Sequence, residues 1–198
     1  MKRSAIIPML VGIVTLFSTI AQAGFVDPAA KPGAAPFACQ FPDSLNDHQW
    51  EFDYGLPTLT MKETIYSTSS DRVVMSGETD SDPTFTVIKT VTNTSGIDWT
   101  GYTLTLSGSA IPTFIPGSAG AGGGKFKTVQ YPHAAAIVFS GPYPVKHGEL
   151  LTLQFDINVP TTGLFDFTLT QSPVPEPATI ALLGMGGLGL LRRRRAGC

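Results

Sequence analysis

The sequence predicts an all-β body, a single antiparallel β-sandwich, and three observations carry that prediction. Apolar residues recur with a period of two: Leu151, Leu153, Phe155, Ile157 and Val159 alternate with Thr152, Gln154, Asp156 and Asn158. A strand with one face buried and the other wetted gives this pattern, and a helix does not. Such runs are rich in Thr, Val and aromatics and are separated by Gly, Pro, Asp, Asn and Ser, as in strands joined by tight turns. No stretch of the body repeats its apolar residues at helical spacing.

Taken in order, the chain opens with Lys2 and Arg3, continues through a mostly apolar run over 4–20, and reaches Ala21-Gln22-Ala23. A positive lead, an apolar stretch and small residues at Ala21 and Ala23 predict a signal helix. Signal peptidase would cut it after Ala23, making 1–23 a signal peptide for the general secretion machinery. Residues 24–55 form the next segment. Pro28, Pro32, Pro36 and Pro42 stand among Gly and Ala there, and proline fixes φ and removes donors, so the reading is an extended leader, not a packed element. Trp50, Phe52 and Tyr54 then alternate with Glu51 and Asp53. On a strand they form an aromatic stripe that either fills a core or stacks on sugar rings, which makes them the candidate ligand-stacking residues.

Residues 56–172 are the expected ectodomain. Strands are predicted over 58–66, 72–77, 84–92, 102–106, 125–131, 135–140, 151–159 and 165–169, about eight in all. Antiparallel strands with clean alternation pack as two sheets face to face, so a sandwich of immunoglobulin-like or jelly-roll type is expected.

Charge narrows the partners. Of the 13 Lys and Arg, two open the chain and four close it, while all 15 Asp and Glu lie between Asp27 and Glu176. The body is therefore acidic and has no basic footprint for nucleic acid. Two cysteines, Cys39 and Cys198, do not make a disulfide framework, and Cys39 reads as a small core hydrophobe.

Motifs that would carry chemistry fail on spacing. The stretch from Asp43 has His48 where a calcium loop needs its glycine and Tyr54 where it needs glutamate. The glycine run before Lys125 has Ala119 and Phe126 where a phosphate loop needs Gly and a hydroxyl. His48, His133 and His147 are scattered, with no metal-ligand spacing, and no G-x-S-x-G is present. Asp80 with Asp82, or Asp156 with Asp166, would need to face one another to act as an acid and base pair, whereas alternating carboxylates on strands ordinarily face solvent. No catalytic residue, metal or cofactor is expected, and the body reads as non-enzymatic.

The chain ends with Val174-Pro175-Glu176-Pro177, an apolar run over 178–191, and Arg192, Arg193, Arg194 and Arg195. Arginines beyond an apolar segment resist crossing a membrane and hold the preceding body outside. As a helix, 14 residues span about 21 Å against a hydrocarbon core near 30 Å. Gly184, Gly186, Gly187 and Gly189 weaken it by about 1 kcal/mol each. A short transmembrane helix of this kind suits a temporary anchor in the inner membrane.

Motif, apolar segment, terminal arginines and N-terminal signal together resemble the PEP-CTERM sorting signal of exported Gram-negative bacterial proteins, over residues 173–198. The resemblance implies recognition of Val174, Pro175, Glu176 and Pro177 by an exosortase-type processing enzyme, with Arg192 to Arg195 as the membrane-retention cluster. It also implies a producer of extracellular polysaccharide. The segment from Val91 to Leu106 is similar to one seen in β-sandwich ectodomains with such tails. The leading expectation is an exported cell-surface or matrix protein associated with exopolysaccharide and biofilm. The alternative is an exported carbohydrate-binding or carbohydrate-active domain.

Overall fold

The computed structural model describes residues 24–42, 44–81, 83–109 and 111–176. The signal helix with Ala21 and Ala23, the apolar C-terminal segment, Pro177 and Arg192 to Arg195 lie outside the described residues.

Alternation of the kind shown by residues 151–159 produces strands wherever it occurs. In chain order they are β1 (Ala38–Gln40), β2 (Asp47–Asp53), β3 (Thr58–Ile65), β4 (Asp71–Thr79), β5 (Thr84–Asn93), β6 (Trp99–Gly108), β7 (Thr113–Phe114), β8 (Gly120–Ala121), β9 (Thr128–His133), β10 (Ala136–Val145), β11 (Leu150–Asn158) and β12 (Gly163–Pro175). One sheet has the order β1-β4-β12-β6-β10-β9. The other has β2-β3-β5-β11-β7, with β8 also on β11. Their inner faces share one apolar cluster that includes Leu59, Met61, Phe85 and Phe155 from one sheet and Met75, Tyr102, Phe139 and Phe167 from the other. The fold is all-β and sandwich-like, and no helix occurs among the described residues.

The second sheet is mixed, which corrects the expectation of a wholly antiparallel body. β3 and β5 run parallel, with Leu59 beside Val87 and Glu63 beside Val91. Parallel neighbours need a crossover between them, and here β4, in the opposite sheet, is that crossover.

The proline-rich segment also packs, contrary to the extended leader read from its prolines. Phe25 bridges to Thr79, Val26 N–H donates to Glu78 O at 2.9 Å, and β1 pairs with β4. Phe25 meets Phe37, Phe52, Phe85 and Phe165 edge-on at 5.1–5.8 Å between centroids. The prolines limit the backbone but leave these aromatics free to bury their area, worth about 2 kcal/mol or more each.

Turns close the sandwich with side-chain hydrogen bonds. Buried Asn93 donates from Nδ2 to Ile97 O at 2.9 Å and to Val145 O at 2.8 Å, and its Oδ1 accepts from Ser95 N–H. Trp99, fully buried, donates from Nε1 to Ser95 Oγ at 3.0 Å, so its one polar atom is satisfied on burial.

Candidate functional site

Strand parity puts charge into the core. On β3 the inward residues are Leu59, Met61, Glu63 and Ile65, and on β5 they are Phe85, Val87, Lys89, Val91 and Asn93. Glu63 and Lys89 therefore stand where the alternation calls for apolar side chains, and both side chains are completely buried, in mutual contact between Lys89 Nζ and Glu63 Oε1.

Neighbouring strands complete a polar layer. His48 on β2 lies directly opposite Glu63 in the ladder, with Nδ1 3.4 Å from Glu63 Oε1. Its Nε2 lies 3.1 Å from Asp71 Oδ2. Asp71 begins β4 in the facing sheet and pairs with Gln171 of β12. Gln171 Nε2 donates to Glu63 Oε2 at 2.8 Å, and Tyr102 Oη donates to Gln171 Oε1 at 3.0 Å. Asp71 also accepts from Asn46 Nδ2 at 2.7 Å and Ser44 Oγ at 3.0 Å. The Phe41 ring lies flat on His48 at 4.0 Å.

The layer holds two acids and two bases, so it can be neutral overall. Burial acts against a charged His48, yet Asp71 and Glu63 together raise its pKa to about 9. Asp71 pays a burial penalty too, but hydrogen bonds from His48, Asn46 and Ser44 hold it well below the usual carboxylate range. Burial lowers the Lys89 pKa, which Glu63 only partly restores. Glu63 is raised by burial and lowered further by Lys89 and His48, ending below its ordinary value. Burial pushes the Cys39 thiol up to about 12, which leaves it unreactive as a thiolate.

This is not a serine-hydrolase arrangement. Ser44 Oγ, at 2.7 Å, and Asp71 Oδ2 both approach the same ring nitrogen of His48, whereas nucleophile activation needs them on opposite nitrogens.

None of this layer was singled out from the sequence as a site, although a signal existed. Lys89 and Glu63 interrupt apolar parity in two predicted strands, and a charge at such a position is buried only with a partner.

The aromatic stripe divides between core and surface. Phe52 stacks on Phe37 at 4.0 Å and 3° between planes. Tyr54 Oη accepts from Phe37 N–H at 2.7 Å. Trp50 is 38% exposed and borders a shallow depression with Gln49, Glu51, Thr60 and Lys62.

The tail leaves from the middle of the first sheet. β12, between β4 and β6, continues to Pro175, with Val174 opposite Gly101 and Pro175 opposite Trp99. Glu176 N–H donates to Asp98 O at 3.1 Å. The start of the motif, Val174, Pro175 and Glu176, is thus joined to the folded body without a linker.

Comparison with curated proteins returned no match, and comparison with solved structures returned none. Residues 173–195 match the family model described as the PEP-CTERM protein-sorting motif. That motif implies export, membrane-associated sorting and processing by an exosortase, and the chain, an all-β body ending in this tail, carries the sorting signal of a PEP-CTERM protein.

Proposed function

We propose that the protein is non-enzymatic cargo of a Gram-negative export and sorting system. Its β-sandwich is delivered through the PEP-CTERM tail to the cell surface or extracellular matrix, where it associates with exopolysaccharide. The observation that carries this reading is the placement of the motif. It begins at the end of β12, so cleavage beyond Glu176 leaves every strand of both sheets on the body side. The body is then a finished domain before the tail is removed, and release or onward transfer costs it no packing. An acidic surface suits a secreted object that must stay soluble.

In this scheme the signal peptide engages the secretion machinery, signal peptidase frees the N-terminus near Ala23, and the short apolar segment and arginines hold the chain in the inner membrane until an exosortase acts. Comparing wild type with Glu176→Ala in the native host tests it. The variant is expected to accumulate in the membrane fraction with a weakened biofilm. A variant processed, located and behaving like wild type would remove the reading.

A second reading, a carbohydrate-binding domain, is favoured by one observation, the exposure of Trp50 beside the depression formed with Lys62 and Glu51. Binding of host exopolysaccharide that is lost in Trp50→Ala would support it, and equal binding by both proteins would end it.

A further inference from the structure

We propose that Lys89 and Glu63 are joined by an intramolecular amide bond that forms within the folded sandwich, making this pair a self-modification site.

The burial and the geometry of the pair carry the proposal. Both side chains have no solvent exposure. Yet beyond their contacts with one another, Lys89 Nζ, Glu63 Oε1 and His48 Nδ1 have no hydrogen-bond partner among the described residues. An ammonium carries three donors, and leaving the others unused in a dry core is costly. As an ion pair the arrangement is poor, because a buried pair repays its desolvation only with good geometry and further hydrogen bonds. As an amide it is good. Both charges vanish, and the remaining carbonyl oxygen, Oε2, already has a donor in Gln171 Nε2 at 2.8 Å.

The surrounding groups match the needs of the step. Glu63 rests as the carboxylate, but burial lowers the cost of reaching the uncharged amine and acid from the ion pair, and fixing the two groups side by side supplies a large effective molarity. One proton passes from Nζ to Oε1 to give amine and carboxylic acid. The nitrogen lone pair attacks Cδ, and the carbonyl electrons move to Oε2, where the Gln171 N–H receives the developing charge. Tyr102 Oη, bonded to Gln171 Oε1 at 3.0 Å, fixes the orientation of that amide. The intermediate collapses as the Cδ–Oε1 bond breaks. Oε1 takes a second proton from His48 Nδ1, 3.4 Å away, and His48 recovers one from the nitrogen. One Cδ–Nζ bond forms, one water leaves, and nothing is oxidised or reduced. Asp71 on Nε2 of His48 keeps the ring charged and aimed, which makes Asp71 a positioning residue.

The bond would tie β3 to β5, the one parallel pair among the described residues, and close a loop that contains all of β4.

Intact mass of the purified full chain, followed by tryptic mapping, tests the proposal without requiring a variant to fold. The expected result is a mass one water below that calculated for the sequence between the purified chain's own termini. A branched peptide should join residues 63–72 to an uncleaved 73–125, since trypsin does not cut after an acylated lysine. A chain at full mass with free 63–72 and cleavage after Lys89 would overturn it, as would a water loss mapped elsewhere. Lys89→Met should show no water loss. In a refolding time course, His48→Gln should form the link slower by about 10²-fold, the usual worth of one general acid–base group. A His48→Gln rate equal to wild type would remove His48 from the relay.

Discussion

His48 Nε2 and Asp71 Oδ2 meet at 3.1 Å, one on β2 and the other on β4 in the facing sheet. Their contact ties an edge strand of one sheet to the other sheet, and it makes stability depend on pH in a defined direction. The His48 pKa rises from 6.5 to about 9 on folding. Its contribution is therefore fully present below about pH 6.5 and is lost as pH rises through about 9. Asp71 is depressed from 3.8, so its contribution is present above about pH 4 and lost as pH falls below that. Chemical denaturation across pH should show a plateau between about pH 4 and 6.5 with a decline on both sides, and His48→Gln should flatten the alkaline decline.

Gly108 sits at φ 146°, and a Cβ there would lie 2.6 Å from Phe167 Cα and 2.8 Å from Phe167 Cβ. Gly108 is opposite Phe167 in the β12–β6 ladder, and a central ladder gives little room for backbone to move. Gly108→Ala is expected to cost on the order of 2 kcal/mol, read as a lower denaturation midpoint with unchanged slope.

Asn93 donates to two carbonyls, Ile97 O in the turn between β5 and β6 and the buried Val145 O at the end of β10. Asn93→Ala leaves both without that donor and should destabilise by about 1–3 kcal/mol. Hydrogen exchange should localise the loosening to residues 93–99 and the end of β10.

The aromatics of β2 should separate by stability. Phe52 is partly buried, stacked on Phe37 and edge-on to Phe25 and Phe85, so Phe52→Ala should cost about 3 kcal/mol, the low end for a core phenylalanine. Trp50, 38% exposed on an edge strand, should cost clearly less as Trp50→Ala in the same denaturation experiment.

What was legible in the sequence follows from what period two reports. Residues 151–159 alternate cleanly and pair with β5 residue for residue from Leu150–Thr92 to Asn158–Thr84, because one face is buried along its whole length. Period two says nothing about direction, so the parallel β3–β5 pair could not be read from it. Composition misled at residues 24–42, where four prolines outweighed Phe25 and Phe37, although proline restricts backbone and not burial. The polar layer was missed because its members lie far apart in the chain. His48, Glu63, Lys89, Asp71, Gln171 and Tyr102 meet only when six strands are assembled, and scanning for local spacing cannot bring them together. The tail is the reverse case. Its motif, apolar run and arginines are contiguous, so it was readable without a structure, and the family match covers the same stretch.

The central claim, that a finished sandwich is released from a sorting tail, is tested most directly by the intact mass of the mature protein isolated from its native host. The account predicts a chain starting near Gly24 and ending near Glu176, with no arginine cluster. A mature chain whose mass still includes Arg192 to Arg195 would contradict it.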